Sequence, residues 1–468
     1  MTKNKVLLLK ESAMIILSVI VALIPPPEGL TLVSMKFIGL FLWTVLNWSI
    51  PVMPSFITGL LLMIASVLFG IVPFKTAFSP FASSTVWLII GAFVLGNAVS
   101  KTGLLARLSF LIMSIFPASF RGQVAGLLGA GLIIGPLMPS TTAKVSIAGG
   151  FSTKIAELLG FENRSRGMNG IYAAMYTGFS LLAATFITSS FYSYLILGAI
   201  PAEDAQPFNF VFWFAAMFPW SIFTLICSYL AIIFLYHPQN EKALKREELR
   251  KLAADSGPMS RDEKITLIVL LSCITCWTLE KIIGIPAVLT ALLGMSVLFI
   301  TKVFNPKEIS GAPSWGIIIF VASVISLSPM AAAAGINSWM SVHLSNIMSS
   351  VGSNPYIFIF AAALLVLLCR FVLVSGTTAI SLIVVILIPF CQAVGMSTWI
   401  GGIVAYTVAQ PFFFKYQNPN FLIGFSAAGG DEKISFQHMI PYCFIFHIIS
   451  IAGLLLSIPY WQYLGIIR

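Results

Sequence analysis

The chain has 468 residues, of which 58% are hydrophobic and only 9% are charged, and this composition excludes a soluble globular fold. The formal net charge of +10 comes mainly from basic residues in short loops, a distribution that reflects membrane topology and not a nucleic-acid-binding face. We therefore expect an all-α polytopic protein of the cell (plasma or inner) membrane, in contact with the lipid bilayer and without a nucleic-acid partner.

The first apolar segment follows a basic N-terminus, as in a signal peptide. It ends, however, in the proline-rich sequence Ile24-Pro25-Pro26-Pro27-Glu28, which is not a small-residue cleavage site. We predict that residues 1–30 form an extra span that is retained, with the N-terminus in the cytoplasm.

Apolar segments along the rest of the chain predict about 11 transmembrane helices in total. A polar stretch at 237–263 divides them into two halves, and its charge pattern predicts a cytoplasmic linker with a surface helix that begins at Asn240. The apolar segments lie at 12–24, 31–50, 54–72, 84–100, 123–160, 168–199 and 208–236 in the first half and at 264–284, 286–301, 314–335, 355–394, 399–427 and 436–463 in the second.

The positions of the basic residues orient these segments. The loops at 25–30, 200–207 and 336–353 contain no Lys or Arg, so the positive-inside rule makes them external. The linker, which includes Lys245, is then cytoplasmic, and Ser353 is external.

Two of the apolar segments are too long for a single simple span and have hydroxyl groups near their centres. The stretch 123–160 contains Ser140-Thr141-Thr142, and the stretch 355–394 contains Ser375-Gly376-Thr377-Thr378, with the two serines 235 positions apart. Each stretch is typical of a re-entrant helical hairpin whose tip lines a cavity, because irregular backbone at that depth must be covered by protein or by a water-filled site.

The two halves of the chain repeat one another in sequence. Pro54-x-x-x-Thr58 recurs as Pro286-x-x-x-Thr290, and Lys75 recurs as Lys307, both at an offset of 232. Because the first hairpin starts inside and the second outside, residues 31–236 and 264–468 are predicted to be inverted repeats.

A polar interruption follows each hairpin, within the segments 168–199 and 399–427. The first runs from Thr185 to Tyr192 and includes Ser189, and the second contains Asn418-Pro419-Asn420. A proline removes a backbone donor and clashes with the preceding turn, so we expect the segment 399–427 to be a broken helix with its break at Pro419. For the first segment, a break and a continuous helix softened by Ser and Thr both remain open.

Three basic residues lie inside apolar segments: Lys144 beside the first tip, Arg370 before the second and Lys415 before the second interruption. A charge at membrane depth is expensive and indicates function, although Arg370 and Lys415 could also have structural roles. Few acidic residues share this depth, so an anion from outside the protein is the expected partner of these cations.

With these features the chain resembles the divalent anion/sodium symporter family, whose members carry dicarboxylates, citrate and sulfate. Ser140-Thr141-Thr142 and Ser375-Gly376-Thr377 stand where that family has a Ser-Asn-Thr motif at each tip. The resemblance implies a homodimer in which a transport domain moves as an elevator against a scaffold. It also implies that tips and breaks hold the substrate, including Thr378, Ser189, Asn418, Pro419 and Asn420, and sodium in the symporters.

The sequence departs from the family pattern at the tips, where Thr141 and Gly376 replace the two asparagines. Lys144 stands where exchanger-like members carry a basic residue, and a fixed cation there could supply the charge that sodium supplies elsewhere. Exchange of di- or tricarboxylates without a cofactor is therefore the leading expectation. The alternative is sodium symport, with sodium at Ser140, Thr142, Ser375 and Thr377.

Two further classes of protein fit less well. An intramembrane enzyme would need a zinc site or a Ser–Lys dyad, but His438 and His447 lack carboxylate partners at metal-ligand spacing. Ser140 and Lys144 are spaced as a Ser–Lys pair, but the corresponding hairpin of the second half contains no Lys, and no water-activating group is evident. A channel is disfavoured by the duplicated hairpins.

Overall fold

The computed structural model describes residues 3–238, 240–242, 257–311, 313–340, 342–343, 354–373 and 375–467. Most of the predicted surface helix of the linker, with Lys245, lies outside the described residues, as does Ser353. Over the described residues the chain is helical and contains no strand, so the prediction of an all-α membrane protein is confirmed.

Helices of nine residues or more are numbered here in chain order. Those of the first half are α1 (Lys3–Leu23), α2 (Leu32–Ser49), α3 (Ser55–Leu68), α4 (Ser84–Thr102), α5 (Leu104–Met113), α6 (Phe120–Ile134), α7 (Thr141–Leu158), α8 (Arg166–Phe179), α9 (Phe191–Ala199) and α10 (Phe210–Leu235). Those of the second half are α11 (Arg261–Thr278), α12 (Ala287–Ile300), α13 (Trp315–Ala333), α14 (Pro355–Val372), α15 (Gly376–Ala393), α16 (Thr398–Ala409), α17 (Pro419–Ala427) and α18 (Phe436–Tyr463).

Nine of the described helices are long and apolar enough to cross a membrane. They are α1, α2, α4, α6, α10, α13, α14, α15 and α18. Four shorter apolar helices, α3, α5, α12 and α16, have 10–17 residues. Of these, α5 was not expected, because its ten residues are too few to register as a span.

The bounds of several other elements correct the sequence-based ones by a few residues. The span expected at 264–284 is α11 followed by a single turn, Glu280–Ile283, which ends at Gly284 in the left-handed region with φ of 71°. Gly103, with φ of 79°, similarly ends α4 and allows the chain to turn into α5.

The helices pack most extensively within two groups. One group contains α1 to α4 and α11 to α13, and the other contains α6 to α8, α10 and α14 to α18. The short helix α9 contacts both, through α4 and α13 on one side and α15 and α16 on the other. The two long apolar stretches with hydroxyl tips, and the segments that follow them, therefore belong mostly to the second group.

Candidate functional site

The first tip is a short non-helical turn between two helices. Helix α6 ends in a 3-10 turn at Gly135–Leu137, and α7 begins at Thr141. Ser140 caps α7, with its Oγ accepting a hydrogen bond from the Ala143 amide at 3.3 Å. Serine is among the preferred N-cap residues because it satisfies an amide that the helix itself leaves unpaired, so the hydroxyl cluster specifies the turn locally.

The second tip repeats this construction. Helix α14 ends at Val372, and Ser375 caps α15, accepting from the Thr378 amide at 3.5 Å. Gly376 begins α15, and the nearest described atoms to a Cβ there would be the Ala409 carbonyl oxygen and the Arg370 guanidinium, at ordinary van der Waals distances. The glycine is therefore not required by the backbone at this tip.

The segment after the first tip is broken, although it contains no proline. Helix α8 ends at Phe179, two 3-10 turns follow at Leu181–Thr185 and Ile187–Ser189, and α9 begins at Phe191. Ser190 caps α9, accepting from the Tyr192 amide at 3.3 Å. The structure thus decides between the two alternatives left open by the sequence, and the break begins about five residues earlier than the polar run.

The second segment is also broken, but Pro419 does not end the helix before it, as was expected. Helix α16 ends at Ala409, well before the proline, and Pro419 is the first residue of α17. A proline is well accommodated there because its missing N–H would have no helical partner anyway. Asn418 caps α17 by accepting from the Phe421 amide at 3.1 Å and donates to the Gln410 carbonyl at 2.6 Å.

Each tip is hydrogen bonded to the break of the other half of the chain. The Thr142 hydroxyl donates to Asn420 Oδ1 at 2.7 Å, and the hydroxyl groups of Thr377 and Tyr192 share a hydrogen bond of 2.7 Å. These crossed contacts pair the N-terminus of α7 with that of α17 and the N-terminus of α9 with that of α15. A helix N-terminus carries a partial positive charge and unpaired amides, so the region favours an anion.

Lys144 and Arg370 are both buried in this region. Lys144 Nζ donates to the Ser189 carbonyl at 2.8 Å, and Arg370 Nη2 donates to the Gln417 carbonyl at 2.7 Å. Each side chain is only 1% exposed. The two contacts are equivalent in the two halves of the chain. Each cation bonds to the carbonyl of the residue just before a helix cap, which is the cap of α9 for Lys144 and the cap of α17 for Arg370.

Gln417 is a residue of this region that sequence reasoning did not select. Its side chain donates to the Arg370 carbonyl at 2.7 Å and accepts from the amides of Phe413 and Phe414 at 2.7 and 3.0 Å. Tyr192, the partner of Thr377, was missed in the same way. Both lie inside the polar interruptions, so their position in a break was the available signal.

The expectation that the partner of Lys415 is an anion from outside the protein is wrong. Its Nζ forms an ion pair with Asp431 at 2.6 Å and lies 4.3 Å from the centre of the Phe425 ring. Asp431 is 67% exposed, so the pair lies towards the surface. The sequence did not indicate this ion pair, because Asp431 lies beyond the end of the apolar segment 399–427.

The remaining predicted residues lie at the tips and in the breaks and differ in environment. Thr142 is exposed, whereas Thr141 and Thr378 are buried. Ser189 contributes its backbone carbonyl to Lys144. Pro419 is exposed at the start of α17, beside the buried Asn420.

Comparison with known proteins adds a family and several relatives. The family described as "Sodium:sulfate symporter transmembrane region" matches residues 5–467. Dicarboxylate transporter 1, chloroplastic, of Spinacia oleracea is 26% identical over 404 residues, covering 84% of this chain and 70% of that protein. The putative malate transporter YflS of Bacillus subtilis is 26% identical over 355 residues, covering 73% of this chain and 72% of that protein.

One solved structure is similar in fold. The crystal structure of the YdaH transporter of Alcanivorax borkumensis, described as having an unusual topology, matches with a TM-score of 0.52 at 14% identity. The match covers 86% of this chain and 89% of that one. At this identity the likeness concerns the fold alone.

Proposed function

Because this chain belongs to the sodium:sulfate symporter family, we propose that it is a secondary transporter of di- or tricarboxylates or related divalent anions that works by anion exchange. The observation that carries the proposal is that the tips and breaks hold two crossed pairs of helix N-termini and two buried cations, with Thr142 exposed at the first tip. Two relatives named for dicarboxylate and malate transport support the same class of substrate. As a member of a transporter family, the chain is not an enzyme.

The substrate carboxylates would lie between the two tips. Hydroxyl groups of Thr142 and Thr377 can each turn from their present partners, Asn420 and Tyr192, to donate to a carboxylate oxygen. The capped N-termini of α7 and α15 add a favourable field without a formal charge. Ser140 and Ser375 hold these N-termini in place through their caps.

The charge of the site favours exchange over sodium symport. A dianion that leaves water for a low-dielectric site needs compensating charge, and Lys144 and Arg370 together supply two positive charges. Backbone carbonyls freed at helix breaks are typical ligands of coupling sodium ions. In this chain the carbonyls of Ser189 and Gln417 already accept hydrogen bonds from the two cations, so they fit a sodium ion poorly.

We also propose that the two packing groups move against each other as the transport and scaffold parts of an elevator, in a homodimer. The tips, α8 and both cations belong to one group, which is what such a movement requires. Empty carriers would cross the membrane slowly, because the two uncompensated cations would move with the transport group. Obligate exchange follows from that barrier.

Lys144 is the residue that tests this proposal. In proteoliposomes loaded with unlabelled anion, counterflow should be measured against succinate, malate, citrate, tartrate and sulfate. We expect the Lys144→Gln variant to lose exchange and Lys144→Arg to retain part of it. Lys36→Gln, which removes an exposed cation on α2 outside the site, is the matched control and should leave exchange unchanged. Near-normal exchange by Lys144→Gln would contradict the proposed role of this residue.

A further inference from the structure

One face of α7 is exposed at three positions between its first turn and Lys154. Thr142, Ser146 and Lys154 are exposed, and Gly150 between them is half-buried. Residues four apart lie above one another on a helix, so these four positions form a single stripe of about 18 Å that starts at the first tip.

The composition of this stripe is that of a surface in contact with water. Elsewhere the exposed surface of the transmembrane helices contains many large apolar side chains, among them Ile16, Phe234, Ile300 and Phe371. The stripe consists of hydroxyl groups, a glycine and an ammonium group, and hydroxyls and charges are expensive to place in hydrocarbon. If the stripe faced lipid, its ammonium group in particular would be costly.

Helix α17 lies beside α7 and extends the same surface. A Cβ atom on Gly149 would come within 2.5 Å of the Gly424 carbonyl oxygen, so the two backbones approach closely. On α17, Pro419, Ile423 and Ser426 are exposed, so this part of the surface is of mixed polarity. In the last turn of α7, Glu157 forms an ion pair with Lys433, which joins this helix to the segment that follows α17.

The equivalent face of the second hairpin is closed. Thr377 and Ser381 of α15 correspond to Thr142 and Ser146 of α7 at the offset of 235 that relates the tip serines. Thr377 is half-buried, and Ser381 is fully buried with its hydroxyl donating to the Thr377 carbonyl at 2.8 Å. Helices α9 and α13 pack against α15.

From this asymmetry we infer that the exposed face of α7 is one wall of a water-filled path by which the anionic substrate travels between the cytoplasm and the tips. Lys154, at the cytoplasmic end of the predicted topology, attracts dianions into the path. Among the described residues no ion pair includes Lys154, so its charge is available for this role. The inference rests on the proposed transport function and names the route and the recruiting residue.

Accessibility of single cysteines tests the path. In a background with the six native cysteines replaced, Ser146→Cys and Ser381→Cys are treated with a membrane-impermeant thiol reagent in vesicles of known orientation. From the cytoplasmic side we expect position 146 to react, substrate to slow that reaction, and position 381 to stay unreactive. Exchange is measured in the same vesicles, so loss of transport is distinguished from absence of the path.

Two outcomes would overturn the path. One is an unreactive position 146 in a variant that still exchanges anions, which would mean that lipid or a second subunit covers the stripe. The other is reaction of position 146 from the external side only.

The role of Lys154 is tested by the variant Lys154→Gln. With substrate on the cytoplasmic side we expect half-saturation to rise roughly two- to fivefold at low ionic strength and to match the wild type at high salt, because electrostatic attraction of this kind is screened. Lys10→Gln, which removes an exposed cation of α1 away from the path, is the control. An equal rise at low and high salt, or no rise, would contradict recruitment by Lys154.

Discussion

Replacing the exposed hydroxyl of the first tip should weaken substrate binding while leaving the fold intact. Valine at position 142 has nearly the shape of threonine and the same branching at Cβ, so α7 should form as before. The Ser140 cap is unaffected, because its partner is the Ala143 amide. Since Thr142 is exposed, the substitution opens no cavity in a packed core.

The magnitude follows from the hydrogen bond that Thr142 can offer. In the structure its hydroxyl donates to Asn420 Oδ1 at 2.7 Å, a neutral contact with a net value of about 0.5–1.5 kcal/mol. A hydrogen bond to a charged carboxylate is worth about 1.5–3 kcal/mol. Because binding exchanges the first contact for the second, the difference is about 1–1.5 kcal/mol. At about 1.4 kcal/mol for each factor of ten, Thr142→Val should raise the half-saturation concentration roughly five- to tenfold.

The assay is exchange of labelled dicarboxylate in proteoliposomes, with the thermal transition measured on the same purified variants. Thr142→Ser keeps the hydroxyl and is the matched control, for which we expect only a small change. If Thr142→Val kept the wild-type half-saturation and stability, the hydroxyl of the first tip would have no part in binding.

Three further predictions concern contacts around the site. Thr377→Val removes the hydrogen bond between Thr377 and the buried Tyr192 hydroxyl, which should cost about 1–3 kcal/mol of stability. The double variant with Tyr192→Phe should therefore be more stable in a thermal scan than Thr377→Val alone, and additive losses would contradict this coupling. Gln417→Leu removes three hydrogen bonds of a buried side chain and should lower both the thermal transition and exchange. An unchanged transition would mean that Gln417 does not hold the break. Gly149→Ala forces α7 and α17 apart and should destabilise the protein. Gly150→Ala, whose Cβ would meet its nearest neighbour at 3.7 Å, should not. Equal thermal transition temperatures for the two variants would refute the close approach.

The parts of the structure that local chemistry determines could be predicted from the sequence. The serines at positions 140 and 375 are N-caps, and a cap acts on amides within three residues, so both tips were recognisable. The apolar runs were equally informative, and the last helix was predicted at 436–463, as the structure has it.

Contacts between distant parts of the chain could not be predicted in this way. The hydrogen bond between Thr142 and Asn420 joins residues 278 positions apart, and the sequence of neither segment indicates that the two are in contact. The break after α8 was uncertain because no proline marks it. The ion pair of Lys415 could not be predicted from its apolar segment, because its partner, Asp431, lies outside that segment.

The dependence of transport on sodium tests the central claim most directly. Uptake of labelled dicarboxylate should be measured in proteoliposomes loaded with unlabelled dicarboxylate and in empty ones, each with sodium and with a large organic cation in its place. We predict fast uptake into the loaded vesicles at the same rate with and without sodium, and slow uptake into the empty ones. Steep sodium dependence of uptake, with no requirement for internal anion, would contradict the account.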